Sequence, residues 1–151
     1  MPAERFPMRE TGRGLLILAR PHVSLWDGPR VAWWLSKAYG VRNAVFPVDP
    51  DYARHPLWAR LLRRYGDWVG GHRMVPMDTH SPFGLRHLAK ALHCGQTVVL
   101  FPQGTGIKNP GRPDLPGHSW LIERERPRVV PITISRFIAV DRHAEDFFHA
   151  R

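Results

Sequence analysis

The chain has 151 residues, of which 43% are hydrophobic, so its length suits one domain with its own core and excludes wholesale disorder. Lysines and arginines number 22 against 13 acidic residues, and the resulting charge of +9 favours an anionic partner: nucleic acid, an anionic membrane surface or a phosphorylated substrate. No apolar run approaches the ~20 residues of a spanning helix, the first ten residues lack the pattern of a secretory signal, and one cysteine, Cys94, excludes an internal disulfide.

Short apolar runs alternate with helical stretches in the first half of the chain. Residues 14–19 (GLLILA) predict a buried strand, and Asp27 is expected to cap a helix that runs to about residue 38, with Pro29 in its first turn. Three further elements are predicted before residue 80: a strand at 43–48, a helix at 55–65, and a short strand or turn at 74–77.

The second half continues the alternation. We expect a helix at 81–93, with Ser81 as its N-cap, and a strongly apolar strand at 97–101 (TVVLF). A loop rich in glycine and proline, a short helix to about residue 124 and a strand at 128–134 follow, and Pro131 predicts an edge or entry position for that strand. The whole pattern predicts one α/β domain with a mainly parallel or mixed central sheet flanked by helices.

Two candidate sites follow predicted strands directly. His22 comes just after the first strand, and the segment 101–106 (FPQGTG) begins where the strand at 97–101 ends. Ligands of parallel sheets collect at the carboxyl ends of the strands, so we expect both segments to lie at one edge of the sheet.

Four residues separate His22 from Asp27 on a loop that leads into a helix. Across one turn the carboxylate of Asp27 can hold the imidazole of His22 in one tautomer, while that imidazole takes a proton from an attacking hydroxyl. Ser24 lies between them, but its surroundings lack the pattern of a nucleophile elbow. A loop histidine beside a helix-capping aspartate has the same spacing, so both interpretations stay open.

The segment 101–106 is a strand that enters a glycine-containing turn. The backbone N–H groups of such a turn can bind a phosphate, and Lys108 and Arg112 add positive charge nearby. Gly104 and Gly106 also suit any tight turn, so plain turn chemistry is the alternative.

Residues 54–65 (RHPLWARLLRRY) combine an apolar stripe with four arginines. This profile is typical of a helix on an anionic bilayer surface, and equally of a basic helix that packs its stripe on the core. Nucleic-acid binding depends on charge alone, because no reading helix or stacking motif is present. The pair His93 and Cys94 lacks partners at ligand spacing, so no metal site is predicted.

Four motifs in order resemble those of the glycerolipid acyltransferase family, which includes the 1-acylglycerol-3-phosphate acyltransferases. The first motif, N-H-x-x-x-x-D, is matched by residues 21–28 (PHVSLWDG), and the third, F-P-E-G-T-R, by 101–106 (FPQGTG). Between them a V-P-x-D element, in the place of the second motif, is matched by 75–78, and the fourth motif, V-P-V/I, by 130–132. The resemblance covers about residues 14–134, and the stretch 73–102 is similar to the acyltransferase part of bacterial 2-acylglycerophosphoethanolamine acyltransferases.

The resemblance implies a glycerol-phosphate-acyltransferase-like fold, with His22 as the general base and Asp27 as its support. The resemblance also implies that the acceptor is a lysophospholipid or lysophosphatidic acid. Its hydroxyl attacks the thioester of an acyl-CoA or acyl-carrier protein. This donor is a co-substrate, so no metal or bound cofactor is implied. The third motif is expected to hold the acceptor, through Phe101, Pro102, Gln103, Gly104 and Thr105, with Lys108 beside it. A cytoplasmic protein, peripheral at the inner face of an anionic membrane, is also implied.

The chain departs from the family asparagine, glutamate and arginine at three motif positions: Pro21, Gln103 and Gly106. Thr79 stands where the second motif often has a phosphate-binding arginine, so Arg73 or Arg86 is expected to substitute. The N-terminal membrane segment and longer C-terminal region of many relatives are expected to be missing. These departures favour a second interpretation, a catalytically degenerate member that binds anionic lipid.

Overall fold

A computed structural model describes residues 14–22, 24, 26–50, 55–77, 82–104 and 113–141. Within them, one sheet has the strand order β3-β2-β4-β1-β5-β6. Its strands are β1 (Leu15–Arg20), β2 (Val45–Val48), β3 (Arg73–Pro76), β4 (Thr97–Leu100), β5 (Arg128–Ile134) and β6 (Ile138–Val140). The pairs among β1 to β5 are parallel, and β6 runs antiparallel to β5.

Helices cover both faces of this sheet in the described part of the chain. They are α1 (Asp27–Tyr39), α2 (Pro56–Gly70), α3 (Pro82–His93) and α4 (Gly117–Glu125). Side chains of α1 and α2 share one core cluster, and those of α3 and α4 share a second cluster. The predicted α/β domain with a mainly parallel, mixed sheet is therefore confirmed.

Strand β1 explains why the core has two layers. It lies between β4 and β5, and its side chains alternate between the two clusters, with Ile17 packed towards α1 and α2 and Leu18 towards α3 and α4. Both side chains are fully buried, and each contributes about 1.5–3 kcal/mol of apolar burial. A strand covered on both faces needs a continuous apolar run, and the sequence LLILA supplies it.

Helix α2 is longer than the sequence predicts. The expected end at residue 65 precedes Gly66, but the helix continues to Gly70 and is closed by Gly71 in the left-handed conformation. Gly66 packs so tightly that a Cβ on it would lie 2.8 Å from the carbonyl oxygen of His72. The glycine is therefore used for close approach rather than to end the helix.

Two sequence-based expectations are corrected by the strand and helix geometry. Trp26, not Asp27, is the N-cap of α1, because Asp27 already lies in the first turn and its carboxylate is used elsewhere. Strand β5 is internal rather than an edge, since β1 and β6 flank it. Proline has no N–H to donate to a neighbouring strand. The carbonyl of Pro131 accepts from the N–H of Asp141, which comes just after β6 ends. The missing N–H of Pro131 therefore costs no hydrogen bond within β6, and the proline is tolerated there.

The remaining predicted elements occur with boundaries shifted by one or two residues. The predicted cap Ser81 lies outside the described residues, and β6 falls in a region for which the sequence predicted no element. No helix among the described residues combines the length and the apolar character needed to cross a membrane.

Candidate active site

The strand order brings the two predicted site segments together. Strands β1 and β4 are parallel neighbours, with Leu18 opposite Leu100, so their carboxyl ends reach the same edge of the sheet. The backbone N–H of His22, just past β1, donates to Oε1 of Gln103, just past β4, over 3.1 Å. The chain then leaves β1 for α1 on one face and β4 for α4 on the other, so the two loops diverge around a common site.

His22 and Asp27 face each other as their spacing predicts. Nδ1 of His22 lies 3.1 Å from Oδ2 of Asp27, and the same oxygen accepts from the N–H of Ser24 over 2.9 Å. The side chain of Asp27 is 0% exposed, and Nη1 of Arg30 lies 3.7 Å from its other oxygen. The start of α1 thus fixes the carboxylate, and the carboxylate fixes the imidazole.

This contact selects one tautomer of His22. An ionised carboxylate only accepts hydrogen bonds, so Nδ1 carries the proton that points to Asp27. Nε2 is then the basic ring nitrogen, and an imidazolium formed by its protonation is stabilised by the buried carboxylate. The arrangement suits general-base catalysis.

Phe101 gives the imidazole a second constraint. The two ring centroids lie 4.4 Å apart, with 33° between the ring planes. Because Phe101 directly follows β4, the ring of His22 is held between a residue from the β4 loop and a carboxylate from α1. His22 has a side-chain exposure of 17%, so it remains accessible from one side.

A cavity of about 430 Å³ opens against His22. This volume lies within the usual range of small-molecule sites. Most of the other lining side chains are apolar, and they include Phe46, Trp58, Leu62, Tyr65, Met74, Met77, Leu85, Leu100 and Leu115. The inner side of α2 forms one wall, and the loop that leads into α4 forms another.

The described residues of the third motif, 101–104, have different roles at this site. Phe101, Pro102 and Gly104 line the cavity, whereas Gln103 is 8% exposed and accepts from His22. The N–H of Gly104 donates to the carbonyl of Phe101 over 3.0 Å, as in a tight turn, and the φ of Gly104 is +77°. That N–H is therefore engaged within the turn, and turn chemistry accounts for the glycine.

Neither Arg73 nor Arg86 lines the cavity beside His22. Arg73 begins β3, at the amino end of the parallel strands, and its Nη2 lies 3.4 Å from Oε1 of Gln96 at that opposite edge. Arg86 is exposed on α3. Thr105, Lys108, Arg112, Asp78 and Thr79 lie outside the described residues.

A second polar cluster lies beside the cavity, and no local sequence pattern predicts it. The guanidinium of Arg20 donates two hydrogen bonds to the carboxylate of Asp114, one of them from Nε over 3.0 Å. His118, which also lines the cavity, donates from Nδ1 to the carbonyl of Leu115 over 2.7 Å, and its Nε2 lies 4.0 Å from Asp114. The pair Arg20–Asp114 ties the end of β1 to the loop before α4, and its partners are 94 residues apart.

Within the described ranges, no group of three or more histidine, cysteine, aspartate or glutamate side chains is placed to hold a metal ion. The sequence matches no model of a known protein family.

Proposed function

We propose that the chain is an acyltransferase that moves a fatty acyl group from an acyl-CoA or acyl-carrier-protein thioester to the hydroxyl of a lysophospholipid or lysophosphatidic acid. The observation that carries this proposal is the contact of 3.1 Å between His22 and the buried Asp27 at the wall of a largely apolar cavity. The order of the sequence motifs supports the same chemistry.

The first step is proton transfer to His22. Nε2 takes the proton of the acceptor hydroxyl as its oxygen attacks the thioester carbonyl carbon, and a C–O bond forms. Asp27 stabilises the resulting imidazolium through Nδ1, which lies 3.1 Å from its carboxylate. No covalent acyl-enzyme is required, because the acceptor itself is the nucleophile.

The second step completes the transfer. The tetrahedral intermediate collapses, the C–S bond breaks, and the thiolate leaves with the proton that His22 received from the acceptor. The ester and the free thiol are the products, and the histidine returns to its neutral form. The thioester donor is a co-substrate, so the reaction needs no bound cofactor.

The cavity supports an acyl substrate rather than a fully polar one. Its side chains from α2, β3 and α3 are apolar or aromatic, and such a lining gains free energy by removing methylene groups from water, about 0.8 kcal/mol for each. His22 lies at the same cavity, so a bound chain can present its thioester carbon to the imidazole. On this proposal the chain works as a peripheral protein at the cytoplasmic face of a membrane.

Three histidines line the cavity: His22, His72 and His118. His72 is buried, and its two ring nitrogens contact Ser36 and Ala44, so the candidates for the base are His22 and His118. The geometry favours His22. His118 has its nearest carboxylate oxygen at 4.0 Å, and that carboxylate is already paired with Arg20. The Nδ1 of His22 lies 3.1 Å from a carboxylate that is fully buried. The imidazolium of His22 is therefore the better stabilised of the two.

The test is thiol release from a panel of acyl-CoA and acyl-carrier-protein donors, with and without lysophospholipid acceptors. We expect acceptor-dependent release by the wild type and its loss in His22→Ala, while His87→Ala, an exposed histidine on α3, keeps wild-type turnover. The ester product identifies the acceptor.

Two outcomes would contradict the proposal. Turnover by His22→Ala at the wild-type rate would show that His22 is not the general base. Absence of release by the wild type with every donor, together with binding of anionic lipid, would instead support the degenerate lipid-binding member.

A further inference from the structure

The outer sides of α1 and α2 form one continuous surface. The two helices run side by side, with Trp26 against Trp58 at a centroid distance of 6.1 Å and Trp33 against Trp68 at 5.7 Å. Between these contacts, the hydroxyl of Tyr65 donates to the carbonyl of Pro29 over 2.8 Å. The residue numbers of the contacting partners rise together, so the two helices run in the same direction. We call their exposed outer side the two-helix face.

Large apolar side chains are concentrated on the two-helix face. Nine are exposed among the described residues, and five of them lie here: Trp26, Trp33, Leu57, Leu61 and Trp68. Leu57, Leu61 and Trp68 follow one stripe of α2, at helical spacings of four and seven residues. Exposed apolar side chains that stand singly need no explanation, but a cluster rimmed by charge marks an interaction surface.

The charges around this cluster are mainly positive. Arg60, Arg63 and Arg64 are exposed on α2, and Asp67 is the acidic residue of that helix. On α1, the ammonium group of Lys37 lies 5.0 Å from the ring centroid of Trp33. Tryptophan and leucine beside arginine on exposed helix faces are the combination that suits the interface of an anionic bilayer.

One side of α2 lines the cavity and another is exposed, and the periodicity of the sequence does not distinguish these two sides. Trp58, Leu62 and Tyr65 line the cavity, whereas Leu57 and Leu61 point outwards, although all five belong to one apolar stripe in the sequence. A single helix thus separates the exposed apolar surface from the apolar cavity.

We propose that the two-helix face binds the surface of an anionic lipid bilayer, with its tryptophans and leucines at the interface and its arginines on lipid phosphates. This inference depends on the exposed surface and its charge, not on acyl transfer, so it stands or falls separately from the proposed activity.

A nucleic acid suits this surface less well. Base stacking requires open aromatic faces. Here the rings of Trp33 and Trp68 pack on each other, and Lys37 lies over Trp33. Leu57 and Leu61 offer no ring to a base, whereas both gain from an acyl environment.

The test measures flotation with phosphatidylcholine vesicles, with and without phosphatidylglycerol, at low and high salt and without acyl donor. The charge variant Arg60→Gln/Arg63→Gln/Arg64→Gln is compared with Arg86→Gln/Lys90→Gln/Arg124→Gln, which removes equal charge from exposed positions of α3 and α4 across the sheet. The apolar variant Trp68→Ser is compared with Phe83→Ser, because the two side chains are 74% and 73% exposed.

We expect the wild type to bind anionic vesicles, to bind neutral ones weakly, and to dissociate as salt is raised. At about a fivefold loss for each arginine, the α2 triple variant should bind about a hundredfold more weakly, while the control triple changes little. Trp68→Ser should weaken binding several-fold and Phe83→Ser should not.

Four results would overturn the proposal. Three of them are no binding of the wild type to anionic vesicles, equal losses of binding in the two triple variants, and unchanged binding by Trp68→Ser. The fourth is a wild type that does not bind vesicles but forms a dimer, which Trp68→Ser dissociates. Because no turnover is measured, failure here would leave the proposed activity intact, and an inactive protein that binds vesicles would leave this proposal intact.

Discussion

The side-chain oxygen Oε1 of Gln103 accepts a hydrogen bond from the backbone N–H of His22, 81 residues earlier in the chain, over 3.1 Å. The contact fixes the loop that carries His22, whereas Asp27 fixes the imidazole ring itself. The loop after β4 and the first turn of α1 therefore both hold one histidine. Because Gln103 acts here as an acceptor, a glutamate at this position could make the same contact.

The role of this contact is tested by Gln103→Ala and Gln103→Glu. Alanine removes the acceptor from a partly buried backbone N–H, at a cost of about 1–3 kcal/mol, so we expect kcat to fall about 10- to 100-fold as the position of His22 loosens. Glutamate keeps an acceptor and should retain turnover within about threefold. Steady-state kinetics with a thioester donor and a lysophospholipid measure both.

The two variants also separate geometry from charge. If Gln103→Glu were much more active than the wild type, a carboxylate rather than an acceptor would be needed, and the natural chain would be a weakened enzyme. Equal activity of Gln103→Ala and wild type would show that the contact with His22 is not needed for turnover.

Asp27→Asn should remove most activity and leave the fold. The amide can still accept from Ser24, but it cannot provide the negative charge that stabilises the imidazolium of His22, and it can favour the wrong tautomer. An equivalent change in serine proteases costs about 10⁴ in kcat, and we expect a loss of about 10³–10⁴. Circular dichroism and thermal unfolding check the fold.

The control for Asp27→Asn is Glu123→Gln, which neutralises an exposed carboxylate on α4 and should leave kcat unchanged. Activity of Asp27→Asn within threefold of the wild type would show that the buried carboxylate only supports the start of α1.

The sequence predicted those parts of the fold and site that depend on local pattern. Leu16 and Ile17 belong to a continuous apolar run, which is typical of a strand covered on both faces. The turn that brings His22 to Asp27 follows from their spacing in the sequence. The position of the loops of His22 and Gln103 at one edge also follows, because carboxyl ends of parallel strands share one edge, whereas the hydrogen bond between the two residues is known only from the structure.

The remainder depended on long-range packing. The carboxylate of Asp114 lies in a loop rich in proline and glycine, where nothing local indicates its pairing with Arg20. Arg73 was expected at the site from its position in the sequence, but the start of β3 places it at the opposite edge of the sheet. Only the packed structure shows which residues of the α2 stripe face the cavity and which face outwards.

The apolar cavity predicts control over acyl-chain length. Ala59, on the inner side of α2, lines the cavity, so Ala59→Phe should occupy part of its volume of about 430 Å³. We expect kcat/KM for long-chain donors to fall at least about tenfold, while short-chain donors lose less than about threefold, since each excluded methylene forfeits about 0.8 kcal/mol of burial.

Ala139→Phe is the matched control for this prediction. Ala139 is exposed on β6 and does not line the cavity, so the chain-length profile of this variant should match the wild type. A profile for Ala59→Phe that is lowered equally at all chain lengths would mean that the acyl chain lies elsewhere.

A buried histidine in the cavity wall, His72, makes the stability of the protein depend on pH. Nδ1 of His72 accepts from the N–H of Ala44 over 3.1 Å, and Nε2 lies 2.7 Å from Oγ of Ser36, which donates to the carbonyl of Val41. A ring nitrogen that accepts carries no proton, so this network holds His72 neutral, with its proton on Nε2. Burial lowers the pKa of His72, a hydrogen bond to the backbone of Ala32 partly opposes this, and the charge of Arg42 acts in the same direction as burial.

The sign of the pH effect follows from this lowered pKa. As pH falls below the ordinary histidine value of about 6.5, the unfolded chain binds a proton at His72 that the native chain does not, so protonation favours unfolding. The free energy of unfolding should therefore decrease below about pH 6.5, with a slope of up to about 1.4 kcal/mol per pH unit, and this decrease should end below the lowered pKa.

Two variants test this assignment. His72→Gln should have a free energy of unfolding about 1–3 kcal/mol lower than the wild type above about pH 7, but should lose the slope at lower pH. His87→Gln, changed at an exposed histidine, should keep the slope. Urea unfolding of the three proteins across this pH range measures the difference, and a slope that persists unchanged in His72→Gln would assign it to another group.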